Sequence, residues 1–284
     1  MLKQRIITAL IMLGVLLYAT LHPSPLPFIG VTLVLVACGA WEWARLNQYG
    51  AVPSVLSGLA CALLCAGIWL AGGATMHFHV LWTVTGSAWV LLGAWLLRFG
   101  TPAWRAIPRP LRWLGGPWVM AVAWLAAMQA RLIGINFLFS VLVLVWAADV
   151  FAYFAGRALG GRFFRNKLAP SISPGKTWEG ALGGLLGVLL CAWGWMQMEA
   201  HYSVDSASLY SRLYAMGGPM LLLSVVFLCA MSVVGDLLES LFKRAAGVKD
   251  SSQLLPGHGG VLDRLDALLP TLPLTMMLLE LGTP

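Results

Sequence analysis

Apolar runs of about 20 residues recur from one end of this chain to the other, and no other feature constrains its fold so tightly. A helix needs roughly 20 apolar residues to cross the hydrocarbon core of a bilayer. In lipid, every backbone N–H and C=O must be satisfied within the segment, so runs of this kind cross as helices. Only 10% of the 284 residues are charged, against about 25% in soluble domains. No single core could hide so much apolar surface from water, which excludes a soluble globular domain. An all-α polytopic membrane protein is expected.

Nine runs have the required size: 6–21, 28–44, 54–72, 78–97, 115–130, 132–156, 179–198, 218–242 and 262–282. About nine transmembrane helices are therefore expected. Only Arg131 separates the fifth run from the sixth, so eight spans with one re-entrant segment is the alternative. Lys3 and Arg5 ahead of the first run resemble the start of a signal peptide. No small-x-small cleavage site follows, and the run is expected to remain as the first span. Residues 1–130 form an N-terminal transmembrane region of about five helices. Residues 131–284 form a C-terminal region of about four, with loops at 157–178 and 243–261. The five cysteines lie within apolar runs and lack a CxxC spacing, which argues against a disulfide framework or a zinc site.

Charge tests the span count. Alternating nine spans places 16 of the 18 lysines and arginines on one side, leaving Arg131 and Arg212 on the other. Cytoplasmic loops carry the positive excess, so the N-terminus and both polar loops are expected in the cytoplasm. Arg98 to Arg112 read as topology and lipid-headgroup contacts. The later basic loops differ, because acids and glycines are interleaved with the bases.

A carboxylate at mid-span costs about 2.5–3.5 kcal/mol on insertion scales, so such residues usually have a use. Asp149 lies deep in LVLVWAADVFAYFAGR, on one helical face with Tyr153 and Gly156. It is either a buried carboxylate bonded to a tyrosine or a site carboxylate. Asp236, Glu239, Ser240 and Lys243 form one polar stripe on another apolar helix. A Glu239–Lys243 pair would explain part of that stripe, but not Asp236, one turn deeper. Asp263 and Asp266 share a face where the last run begins; helix-dipole stabilisation explains one of them well, the pair poorly. Glu42, beside Arg45 in WEWAR, reads as an interfacial ion pair. Oxygen donors without a Cys or His cluster suit a hard cation such as Mg²⁺.

Gly257, Gly259 and Gly260 flank His258 just before the last run, where glycine permits positive φ and close backbone approach. Lys243, Arg244, Lys249 and Arg264 lie nearby in sequence. The other phosphate-like loop is SISPGKTWEG, with Ser173, Lys176 and Thr177. It is no Walker A motif, since Pro170 stands where the first glycine belongs and no strand precedes it. A Ser/Thr helix cap with Glu179 in the first turn is the alternative. GALGGLLG, from Gly180, has the small-xxx-small spacing of close helix packing. Carboxylates, clustered bases and glycine loops on one face suit metal-assisted phosphoryl or nucleotidyl transfer at a membrane surface.

SLFKRAAGVKDSSQLLPGHGGVLDRLD, from Ser240 to Asp266, resembles the signature of the phosphatidate cytidylyltransferases, also called CDP-diacylglycerol synthases. WAADVFAYFAGRALGGR and KLAPSISPGKTWEG are similar to family segments upstream. The resemblance implies transfer of the cytidylyl group of CTP to phosphatidic acid, giving CDP-diacylglycerol and pyrophosphate, by Mg²⁺-assisted in-line attack on the α-phosphorus. It implies a bacterial inner-membrane enzyme with a cytoplasmic active site, one or two metal ions and a homodimer, with no nucleic-acid partner. Carried over by position, Asp236 and Asp263 would hold metal, with Asp266 and Asp149 at the same centre. Lys249, His258, Gly259, Gly260 and Arg264 would surround nucleotide phosphates, and Ser173, Lys176 and Thr177 would meet a phosphate from the other side. Lys243, Arg244 and Asp250 join the substrate-binding set; Asp263, Asp266, Asp236, Lys249 and Arg264 form the catalytic set. A transporter would instead need polar residues through the full depth of several helices. Spans two to five are nearly free of them.

Overall fold

A computed structural model of the chain describes residues 2–282, with side chains from Ile6 onward. Every described element is helical: α1 (Leu2–Leu21), α2 (Leu26–Leu46), α3 (Ala51–Leu70), α4 (His79–Ala106), α5 (Arg109–Ile133), α6 (Ile135–Leu159), α7 (Trp178–His201), α8 (Leu209–Ala215), α9 (Gly218–Ala246), α10 (Leu262–Leu265) and α11 (Leu268–Glu280). A helix stands at each of the nine expected positions. Six of them are long and apolar enough to cross a membrane: α2, α3, α4, α6, α7 and α9. In α1 the apolar part is the shorter Ile6–Leu21.

The remaining two are core helices. In α5, every residue from Met120 to Ala126 is buried, so protein covers its whole circumference. The same holds in α11 from Leu269 to Met276. α5 packs against α2, α3, α6 and α11, and α11 packs against α4, α5 and α9. The expected re-entrant alternative at 115–130 is replaced by an unbroken 25-residue helix. The expected run at 262–282 is instead divided into α10 and α11, with Asp266 at the junction.

Close packing follows the small residues. A methyl group at Gly184 of α7 would stand 2.7 Å from the Ala148 carbonyl oxygen of α6, and one at Gly183 would overlap Ala155. The GALGGLLG stretch thus packs α7 backbone against α6, as its spacing predicts. At the other side of the bundle, Trp43, Trp104 and Phe242 join α2, α4 and α9, their ring centroids 4.1–5.8 Å apart.

The basic segments meet at one end of this bundle. Arg105 donates to the Ala245 carbonyl at the end of α9 (2.9 Å), Arg109 to Gln48 after α2 (2.9 Å), and Arg244 to Ile172 between α6 and α7 (3.4 Å). These bonds gather the C-terminal ends of α2, α4 and α9 with the α6–α7 loop.

Candidate active site

At that basic end, α9 supplies one wall and the α9–α10 segment folds back over it. Lys243 of α9 contacts Asp263 of α10 at 2.5 Å and pairs with Glu239 one turn away. The intrahelical pair expected for Glu239 and Lys243 therefore forms, and Lys243 also ties α9 to α10. Asp263 Oδ2 accepts from Gly260 N (2.7 Å), Ser251 Oγ (2.8 Å) and Ser251 N (3.0 Å). Burial alone would raise the Asp263 carboxyl. Bonds with Glu239 and Lys243, then from the Gly260 and Ser251 amides, outweigh it and hold the group well below the usual carboxylate range.

Asp266 comes close to α9 because residue 235 is glycine. A methyl group at Gly235 would stand 2.4 Å from the Asp266 carbonyl oxygen and 2.8 Å from Pro270. Burial, reinforced by the charge of neighbouring Asp236, pushes the Asp266 carboxyl upward; the Ala267 amide (2.7 Å) opposes this. Asp149 on α6 also lies in the field of Asp236. Asp149, Asp236 and Asp266, from three different segments, are thus brought together. Lys176 reaches Asp236 at 2.6 Å from the α6–α7 loop. Among the described residues, no three Asp, Glu, His or Cys side chains are grouped so that they could together hold a metal ion.

Two cavities flank this cluster. One, of about 730 Å³, is lined by Lys249, Asp250, Ser252, Pro256, His258, Gly259 and Arg264 among others. Positive φ at Gly257 (78°) and Gly259 (83°) lets the loop double back, and Arg264 donates to the His258 carbonyl (2.7 Å). His258 Nδ1 is buried without a protein partner among the described residues. The other cavity, of about 430 Å³, is lined by Asp149, Tyr153, Gly156, Arg157, Lys176, Thr177 and Asp236 among others.

Not every expected site residue faces a cavity. Arg244 is exposed and braces the α6–α7 loop through Ile172. Ser173 belongs to the turn of that loop, its amide bonded to the Ala169 carbonyl (2.8 Å). Thr177 lines the second cavity, but its hydroxyl also caps α7 by accepting from Gly180 N (3.1 Å), as the cap alternative predicts. Tyr153 accepts from Arg157 (3.0 Å), and among the described residues no hydrogen bond joins it to Asp149.

Glu42 is corrected outright. It is fully buried and faces the α9–α10 segment, while Arg45 stacks over Trp41. Nothing around WEWAR signals this, because half of its partners are backbone amides more than 200 residues away.

The sequence profile of the cytidylyltransferase family matches residues 3–282. This chain belongs to the cytidylyltransferase family. It is similar to relatives named phosphatidate cytidylyltransferase. The Pseudomonas aeruginosa protein is 36% identical over 98% of this chain and 97% of its own length. The Haemophilus influenzae protein is 36% identical over 96% of each. A Brucella abortus relative is also 36% identical, over 94% of this chain and 89% of its own. Family membership extends over the first 140 residues, where the signature resemblance did not reach.

Proposed function

We propose that this chain transfers the cytidylyl group of CTP to phosphatidic acid, releasing pyrophosphate and leaving CDP-diacylglycerol in the membrane. Full-length similarity to phosphatidate cytidylyltransferases carries this reading. The two cavities give it a geometry. The glycine loop with Lys249, His258 and Arg264 receives the CTP phosphates. The cavity of Lys176, Thr177 and Asp149 receives the lipid phosphate.

A phosphate monoester has a second pKa near 6, so phosphatidic acid is largely dianionic at neutral pH and needs no strong general base. A lipid phosphate oxygen attacks the α-phosphorus of CTP; the new P–O bond forms as the bond to the β-phosphate bridging oxygen breaks. Two anions must approach, and pyrophosphate must leave, so neutralisation by Lys249, Arg264 and Lys176 dominates. His258 acts as a hydrogen-bond partner of phosphate, consistent with its unpartnered Nδ1.

Asp149 and Asp236 line one cavity and, like Asp266, offer only oxygen donors, the ligand type a hard divalent cation takes. They would hold Mg²⁺, one ion or two, with Asp263 beside them. When bound, the ion would draw charge from the phosphates at the reacting centre. Asp263 has a second duty, since its oxygens already order Lys243, Ser251 and Gly260.

The topology proposal is that α1–α7, α9 and α11 cross a bacterial inner membrane, with the N-terminus and the site in the cytoplasm. A homodimer, suggested by family resemblance, is tested by the mass of the detergent-solubilised protein. The function is tested with purified protein, CTP, Mg²⁺ and phosphatidic acid, from which pyrophosphate should be released. Asp263→Asn should abolish release while the protein stays folded; full activity in that variant would remove Asp263 from the metal set. Cysteine labelling of residues 165 and 250 in sealed vesicles should report the cytoplasmic face.

A further inference from the structure

We infer that Glu42 is a positioning residue for the nucleotide loop, an assignment that rests on the CTP reaction proposed above. It sits on α2, in the part of the chain that carries none of the expected site residues. Its side chain is fully buried. A buried carboxylate without partners is costly, and this one has four donors, all from the α9–α10 segment. Oε1 accepts from Val261 N (2.9 Å) and Ser252 Oγ (2.5 Å). Oε2 accepts from Leu262 N (2.6 Å) and Ser251 Oγ (3.1 Å). Each oxygen thus takes one backbone amide and one hydroxyl.

The loop is shaped around this carboxylate. A methyl group on Gly260 would stand 1.9 Å from Ser251 Oγ and 2.6 Å from Glu42 Oε1. Gly260 therefore leaves room for Glu42, whereas in sequence its lack of a side chain suggests close approach to a phosphate. Ser252, which Glu42 holds, lines the cavity of Lys249, His258 and Arg264. Ser251, the other hydroxyl it contacts, lies between two carboxylates and shares its one hydrogen between Glu42 Oε2 (3.1 Å) and Asp263 Oδ2 (2.8 Å). One side chain of α2 thereby fixes the segment between the cavity's bases and the α10 carboxylate. Glu42 touches no cavity residue except through Ser252 and the backbone, so it acts by holding others in place.

The symmetry of the four bonds makes glutamine an informative replacement. An amide has one oxygen, so its NH₂ group must face one of the two backbone amides. A hydroxyl can turn round to accept, but a backbone N–H cannot. Glu42→Gln therefore loses at least one amide anchor while keeping size and shape. Glu42→Asp keeps both oxygens and withdraws them by one methylene.

The experiment uses the full-length protein in detergent micelles, with two readouts. Amide exchange of residues 251–262, measured without substrate, should quicken in Glu42→Gln. Steady-state kinetics should show the KM for CTP raised about tenfold or more, as expected for a lost charge-assisted bond, with the KM for phosphatidic acid within about twofold of wild type. Glu42→Asp should recover part of the CTP affinity. A merely structural role would lower the active fraction and leave both KM values alone, and that result overturns the assignment. Unchanged exchange, or quickened exchange with an unchanged KM for CTP, overturns it too. If Glu42→Gln does not fold, Ser252→Ala decides: it removes one donor, and an unaltered KM for CTP refutes the role. Wild-type protein inert toward CTP and phosphatidic acid would overturn the reaction reading and the positioning role with it. The exchange readout would then still report whether Glu42 anchors the loop.

Discussion

Carboxylates at the two ends of the bundle differ in how fully they are satisfied, although the basic end also holds two well-satisfied ones, Glu42 and Asp263. At the end opposite the cavities, Glu199 is surrounded by neutral donors: the Asn136 amide, Ser208 through both its backbone N–H (2.7 Å) and hydroxyl (2.8 Å), and the Ser211 hydroxyl. Asp205 accepts from the amides of Ile135 (2.5 Å) and Asn136 (3.0 Å) at the start of α6. These acids close helix ends, and the four donors around Glu199 fill both of its oxygens. At the basic end, among the described residues, Asp266 receives the Ala267 amide alone, and Asp236 receives Lys176 and a long contact from Ser240 (3.4 Å). Both stand in each other's field instead. Saturated carboxylates hold structure, and the less satisfied pair is the one proposed to bind metal. The distinction is sharper than burial or depth, since both kinds occur beside fully apolar helices.

The sharpest way to break this contrast is to neutralise one acid at each end. Asp236→Asn should reduce pyrophosphate release by about 10²–10³-fold, the usual size of losing one charge-stabilising group at a reacting centre. Its melting temperature should change little, because relief of like-charge repulsion with Asp266 and Asp149 offsets loss of the Lys176 ion pair. A large fall in melting temperature would place Asp236 among the structural acids. Gly235→Ala comes next. The added methyl group must push Asp266 away from α9, and turnover should fall by about tenfold, with the change in kcat exceeding that in the KM for either substrate. Normal turnover would show that the Asp236–Asp266 approach is incidental. The smallest catalytic effect is expected for Glu199→Gln. Activity per folded molecule should stay within about twofold of wild type, while the loss of a charge-assisted bond lowers stability by about 1.5–3 kcal/mol, read as earlier thermal unfolding. A specific loss of turnover there would erase the contrast.

Helix positions were legible because apolar runs of membrane length are a strong signal. What those helices are buried against was not. α5 is covered by protein around Met120 to Ala126, and α11 from Leu269 to Met276. Hydropathy cannot separate burial in protein from burial in lipid, so both read as ordinary spans. Within the site, Lys249, His258 and Arg264 were legible as a group because one contiguous segment carries them to one cavity. The pairing of Lys243 with Glu239 follows from i, i+4 spacing. Its second contact, to Asp263, depends on how the loop returns. Glu42 was misread for a deeper reason. Two of its partners are backbone amides, which every residue except proline owns, so no residue type marks them.

The glycine contacts between α6 and α7 have a mechanical consequence. Glycine backbone set against the α6 backbone, Ala152, Ala155 and Phe151 leaves little to re-pack between the two helices, so they behave as one plate. Asp149, Gly156 and Thr177 all belong to that plate. The facing side of the second cavity is α9, which carries Asp236 and packs more sparsely against α7 than α6 does. The width of the cavity is then close to a single coordinate, the separation of plate and rod. The ion pair of Lys176 with Asp236 spans that gap as a strut.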